Sequence, residues 1–366
     1  MNRNSGFALR DAVFALAALG ALGALSLPVL SQVRMDSGRQ RCVSNYRFLG
    51  QANEVYTGDF NGSMAALSWK GGTPNPLSPG SYFSSDGAAQ SAQAITIERE
   101  LLNLNAFQLP LLSTWFASIA FSHLPLLDYV GGASFLSGFV CPEDAPRQRI
   151  LDGDYSKLPT GGDDNPAFAL RWILSSSYTA GASHWAPSKQ VQGMRPNGLV
   201  AWSPMPYVTA SNYSQWSQDG DPMVFGTYGP RQASDVFFPS NKVFLSDDYA
   251  RHNGAQRFFA YQTASQDLLF YDGSVRFYRS DSTNPGWDQS HSGRRSTMTA
   301  RTTFIKMADT WGKLDNNAAS ANFPGGWHRW TRGGLLGWDV PRAANRIGKP
   351  VQNVVENELA TNWGHW

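Results

Sequence analysis

Apolar and polar positions fall into distinct rhythms along the chain. Ala12 to Leu30 is a 19-residue run without a charge, AVFALAALGALGALSLPVL. As a helix rising about 1.5 Å per residue it spans roughly 28 Å, close to the thickness of one hydrocarbon core. Its small residues, among them Ala17, Gly20, Ala21, Gly23 and Ala24, let other helices approach closely. Beyond the run, Ser31 to Tyr56 is polar but keeps a helical period through Val33, Cys42, Tyr46, Leu49, Asn53 and Tyr56. Ile95 to Leu104, carrying Glu98, Arg99 and Glu100, predicts a surface-facing helix. Leu109 to Leu127 is long and apolar, but Pro110 and Pro125 bracket it and Ser113, Thr114, Ser118, Ser122 and His123 interrupt it. That pattern predicts a buried helix of a globular domain and not a second membrane span. Leu268 to Tyr278 reads as two short strands joined by Asp272-Gly273, with both turn residues at positive φ. Val275 and Phe277 are expected to face the core, with Ser274, Arg276 and Tyr278 on the other side.

Composition narrows the class. The chain has 366 residues, 42% of them hydrophobic, enough for a large core. Its 35 Gly and 21 Pro, with 16% charged residues against a usual value of about 25%, indicate a loop-rich, β-containing fold and argue against a coiled coil or a helical bundle. A net charge of +2 without a basic block gives no electrostatic reason to expect nucleic acid. Two cysteines 99 positions apart exclude a zinc ribbon and a Cys-x-x-Cys redox motif. The six histidines make no H-E-x-x-H pair, and there is no G-x-S-x-G elbow, P-loop or G-x-G-x-x-G fingerprint, so no enzyme is expected. Acidic pairs at Asp163-Asp164 and Asp247-Asp248, and Asp152 with Asp154, are candidate calcium ligands without EF-hand spacing; solvated turns are the alternative.

The start of the chain carries the functional signal. A plain secretory signal cut near Ala24 and an uncleaved signal anchor both account for the apolar run. Neither accounts for Gly6-Phe7 just before it, Asp11 four positions beyond Phe7, and Pro28 twenty-one beyond. These positions resemble the prepilin cleavage and methylation motif of type IV pilins and type II secretion pseudopilins. Arg10 stands where that family has an aliphatic residue, and Asp11 replaces its usual Glu. Further on, Gln40 to Gly50 resembles the "C-x-x-N-L-R-x-L-G" stretch of a large bacterial prepilin-like group, and Asp59-Phe60-Asn61-Gly62 its helix-closing "D-x-x-G" turn. Cys141-Pro142-Glu143-Asp144, Ser176-Ser177-Tyr178 and Phe270 to Phe277 are similar to its "C-P-x-D", "S-S-Y" and late "F-x-D-G-x-V-x-F" segments, while Gln262 stands where a histidine is frequent.

The resemblance implies an α+β, pilin-like fold, with a long kinked N-terminal membrane helix packed on an antiparallel β-sheet enlarged by loop-rich insertions. It implies a leader over 1–6, a polymerisation helix over 7–30 bent at Pro28, its continuation over 31–62, a globular domain over 63–280 and a Trp/Gly-rich extension over 281–366. A prepilin peptidase would cut between Gly6 and Phe7 and methylate the new terminus. Asp11 would pair with a neighbouring subunit's terminal amine. The implied partners are that peptidase, other pilin or pseudopilin subunits and an inner-membrane assembly platform. The implied location is a single-pass inner-membrane protein with its globular part in the periplasm or outside the cell. In an oxidising envelope Cys42 and Cys141 would form a disulfide; two buried thiols are the alternative. The implied function is a structural, non-catalytic subunit. The other function class is an anchored envelope protein whose Trp-rich end, around Trp327, Arg329 and Trp330, binds a glycan or a protein.

Overall fold

The computed structural model describes residues 36–111, 117, 121–154, 170, 173–185, 206–207, 215–216, 229–247, 249–252, 259, 261, 263–283, 327–329, 335 and 338–340. Helix α1 occupies 36–59 of these. Its buried positions, Cys42, Tyr46, Leu49, Asn53 and Tyr56, recur every three to four residues and form one stripe, while Arg41, Arg47 and Glu54 face outward. The helix stops where Asn61 (φ 52°) and Gly62 (φ 85°) turn left-handed. There the Gly62 amide reaches back to the Thr57 carbonyl at 2.8 Å, satisfying a helix-end acceptor. Asn53, a polar residue on the apolar stripe, accepts from the Ala65 amide at 3.1 Å and thereby fixes the chain that follows the turn.

Helix α2 spans Asp86–Leu102, capped by the Ser85 hydroxyl and closed by Asn103 in the left-handed region. Two 3₁₀ segments, Leu124–Tyr129 and Gly132–Phe139, lead to the short helix α3, Ala145–Leu151. The strands are β1 (Tyr178–Ala180), β2 (Pro206–Tyr207), β3 (Gln215–Trp216), β4 (Val243–Asp247), β5 (Ser265–Phe270) and β6 (Val275–Arg279). Strands β1-β4-β5-β6 form an antiparallel sheet in that order, and β2 pairs with β3. Helix α1 covers one face of the larger sheet. Tyr46 meets Tyr178 with ring centroids 4.6 Å apart, and Arg39 makes a two-pronged contact with Asp267 at 2.7 and 2.8 Å. The other face carries Val243, Leu268 and Phe270, packed with Val340. Strand β5 is therefore buried on both sides, which explains its unbroken Leu-Leu-Phe.

The helix approaches the sheet most closely at Gly50, where an added Cβ would lie 3.3 Å from Leu269 Cδ1. Gly50→Leu is expected to destabilise by about 1–3 kcal/mol through overpacking. Gly58→Leu, on a surface with nothing within 4 Å, should show no such loss. Urea midpoints of the two variants make the comparison.

Several expectations are corrected. The implied pilin-like fold class required a long apolar helix on the sheet, and none of the helices among the described residues is long and apolar enough to cross a membrane. The helix that packs on the sheet is α1, whose outer face is charged. Gly6, Phe7, Asp11 and Pro28 lie outside the described residues. The helix expected over 95–104 begins at Asp86, and Glu98 on it is fully buried where a surface position was expected. Arg99 also turns inward, donating to the Leu109 carbonyl at 2.8 and 2.6 Å.

The hairpin is present, but its turn is of another kind. Gly273 has a positive φ (76°) and Asp272 does not. The Gly273 amide donates to the Phe270 carbonyl, and the Asp272 carboxylate accepts from the Ser274 amide at 3.0 Å, giving a three-residue loop closed by a glycine bulge. Phe277, expected in the core, is 45% exposed because β6 is the sheet edge, and the Arg39 guanidinium lies 4.5 Å over its ring. Tyr278, expected outside, packs on Val243, Leu268 and Phe270.

Candidate functional site

Segments far apart in the chain converge between α1 and the sheet. Cys42 sits on the buried stripe of α1, and Cys141 lies in the turn before α3. Their sulfur atoms are 3.0 Å apart and unbonded in this structure, and both residues are buried. His252, in the turn after β4, brings Nε2 to 3.1 Å from Cys42 Sγ and 3.2 Å from Cys141 Sγ. The Tyr178 hydroxyl donates to Cys42 Sγ at 3.2 Å. Burial pushes the Cys141 thiol well above its ordinary value. For His252, burial works downward, but the contact with Cys141 and the negative charge of Asp247 and Glu143 outweigh it and raise the ring.

Beside the sulfurs lies a buried ionic cluster. Asp144 Oδ2 receives Arg147 Nη1 at 2.7 Å, the Ser177 hydroxyl at 2.7 Å and Arg251 Nη2 at 2.9 Å. Arg251 also grips Asp247, whose carboxylate accepts from the Tyr249 amide at 3.0 Å. Burial alone would raise Asp144, yet the two guanidiniums hold it down to about 2. Asp247 has one paired guanidinium, that of Arg251, and burial leaves it raised. These contacts give physical content to two of the sequence motifs. Asp144 of "C-P-x-D" caps α3 and binds Ser177 of "S-S-Y", Ser176 donates to the Phe139 carbonyl at 2.9 Å, and Tyr178 reaches Cys42. Together they fasten the turn carrying Cys141 to the strand that faces α1.

A cavity of about 20 Å³, lined in part by Cys42, Tyr178, Asp247, Arg251, His252 and Asp267, opens beside the sulfurs. That volume holds about one water-sized species. Among the described residues, Cys42, Cys141 and His252 are the cluster whose donor atoms lie close enough together to share an ion.

Of the sequence-predicted site residues, the structure brings Cys42 and Cys141 together. His252 escaped the sequence reading because it lies 210 and 111 positions from its sulfur partners, where no spacing rule applies. The calcium candidates do not assemble: Asp247 is held by Arg251, Asp152 and Asp154 close helix α3, and Asp163, Asp164 and Asp248 lie outside the described residues. The Trp-rich end presents no aromatic face at its described positions. Trp327, His328, Arg329 and Trp338 are all buried, with Gln266 Nε2 3.0 Å from His328 Nε2. Comparison of the chain with protein-family models, curated proteins and solved structures gives no match.

Proposed function

We propose that the chain is a structural subunit, of pseudopilin or minor-pilin type, of a type IV pilus or type II secretion-like fibre. A prepilin peptidase cuts it between Gly6 and Phe7, and it assembles through its apolar N-terminal segment. The observation that carries this reading is the joint spacing of Gly6-Phe7, Asp11 and Pro28 around the uncharged run from Ala12 to Leu30. The attachment of the following helix supports it. Six positions after the run ends, α1 begins its described course, and it is fixed to the sheet by the Arg39–Asp267 pair, the Tyr46–Tyr178 ring contact and the Cys42 contacts. A load on the N-terminal segment would thus pass into the sheet through buried contacts. The partners are the peptidase, other subunits and an inner-membrane assembly platform. A glycan- or protein-binding role for the Trp-rich end draws no support from Trp327 and Trp338, which are enclosed.

Substituting Gly6→Val in the native host tests the processing step. The variant is expected to keep Met1 to Gly6, to remain in the membrane fraction and to disappear from sheared surface material. An identical N-terminus in variant and wild type would contradict the proposal.

A further inference from the structure

We propose that Cys42, Cys141 and His252, with the cysteines reduced, form a binding site for a soft divalent cation of the zinc class. This goes beyond the subunit reading and does not depend on it. The donor set is two thiolates and one imidazole, a combination that suits zinc and leaves one coordination position open. The three donor atoms form a nearly equilateral triangle of 3.0, 3.1 and 3.2 Å. A tetrahedral ion with bonds of about 2.3 Å to sulfur and about 2.0 Å to nitrogen sets its donors roughly 3.5–3.8 Å apart, so on binding the sulfur–sulfur edge opens by about 0.8 Å and the two sulfur–nitrogen edges by about 0.3–0.4 Å.

Each donor is held by its surroundings. Cys42 rides on α1, which the Arg39–Asp267 pair clamps to β5. The Cys141 amide donates to the Ser177 hydroxyl at 3.0 Å and its carbonyl accepts from Gln148 Nε2 at 3.1 Å. His252 directly follows Arg251, which bridges Asp144 and Asp247. The Tyr178 hydroxyl, donating to Cys42 Sγ, supplies the outer hydrogen bond that steadies a thiolate ligand. With Nε2 bound to the ion, the His252 proton would reside on Nδ1. A Cβ at Gly38 would lie 3.0 Å from Glu143 Oε1 and 3.4 Å from His252 Cε1, so the absence of a side chain at Gly38 gives both groups room, while Nδ1 itself makes no hydrogen bond among the described residues. The open coordination position faces the cavity lined by Cys42 and His252, which takes one water.

The charge balance is favourable. Binding breaks two S–H bonds, forms two metal–sulfur bonds and one metal–nitrogen bond in place of water ligands of the free ion, and releases two protons to solvent from the neutral-imidazole state, with no electron transferred. Two thiolates cancel the ion's double charge, and Asp144 and Asp247 already answer Arg147 and Arg251. A Cys42–Cys141 disulfide uses the same sulfurs, so the oxidised chain holds no ion.

The test is a titration of the reduced, metal-free full chain with Co²⁺ under anaerobic conditions, followed by Zn²⁺. The expected result is one equivalent bound with a thiolate-to-cobalt charge-transfer band, displacement by Zn²⁺, and a higher melting temperature with Zn²⁺. His252→Gln and Cys42→Ser should each weaken binding at least about 100-fold. Far-ultraviolet circular dichroism identifies the variants that remain folded, and alkylation of Cys42 and Cys141 in wild type, slowed by Zn²⁺, reads the site without a variant. Absence of the band in the reduced wild type, its persistence in both variants, or alkylation rates indifferent to Zn²⁺ would overturn the proposal. None of these results depends on processing at Gly6.

Discussion

Asp144→Ala is expected to cost about 3–5 kcal/mol, a large part of the roughly 5–15 kcal/mol that holds a typical domain folded. The expectation follows from what the substitution leaves behind. Asp144 is almost fully buried and joins Arg147, Arg251 and Ser177 through one carboxylate. Without it, Arg147 keeps Ser175 as a partner at 3.0 Å, while Arg251 keeps the raised carboxylate of Asp247 and the Tyr249 ring, so positive charge is left undercompensated in a low-dielectric interior. The same residue caps α3, so that helix loses its first-turn acceptor as well. Asp144→Asn keeps the shape and part of the hydrogen bonding but not the charge, and should fall between wild type and Ala. Urea midpoints at neutral pH measure both. Asp281, which pairs with Arg279 on the surface, provides the contrast: Asp281→Ala should leave the midpoint where it is. Equal midpoints for the Asp144 and Asp281 variants would show that the buried cluster does not anchor the fold.

The second large effect is acid destabilisation. His123, His184 and His328 are enclosed, and burial lowers them to about 3, 4 and 3, against an ordinary value near 6.5. His184 shows how the neutral form is built in. Its Nε2 donates to the Ala65 carbonyl at 2.7 Å, and its Nδ1 accepts from the Tyr271 hydroxyl at 3.0 Å. A second ring proton would meet that hydroxyl in place of receiving from it. Unfolding frees all three rings to bind protons below about pH 6.5, so stability is complete above that pH and falls as the pH drops toward 4 and then 3. The limiting slope for three rings is about 4 kcal/mol per pH unit, and the loss at pH 5 is on the order of 2 kcal/mol per histidine. Asp144, held at about 2, adds a loss of the same sign once the pH passes below its unfolded value of 3.8. Melting temperatures from pH 7.5 to 5 should fall steeply, and His184→Gln should remove about a third of the slope. A flat profile over that range would contradict the burial of neutral rings.

Much of the frame was legible in the sequence because it rests on local periodicity. The stripe Cys42, Tyr46, Leu49, Asn53 and Tyr56 predicts which face of α1 is buried, and Asn61-Gly62 marks its end. The β5–β6 pairing was legible for the same reason. What failed were features decided by side chains or by distant chain. The turn type at Asp272-Gly273 is set by the Asp272 carboxylate holding Ser274, and Phe277 is exposed because, among the described residues, no strand follows β6 in the sheet. Glu98 read as a surface charge because a carboxylate is rarely enclosed, yet it is fully buried. The candidate site divides in the same way. Cys42 and Cys141 attract notice as the chain's two cysteines, whereas His252, Arg251 and Asp247 join them through contacts more than 100 positions long, except for the local Arg251–Asp247 pair. Beyond the Trp-rich stretch, Val340 covers the sheet face at Leu268 and Phe270, a contact set by topology and not by local pattern.

The central claim is that the chain is matured as a prepilin, and the N-terminus of the native protein tests it most directly. Intact mass with terminal peptide sequencing is predicted to find Phe7 as the first residue, carrying one N-methyl group. A first residue at Met1, or near residue 25 after loss of the apolar run, would contradict it.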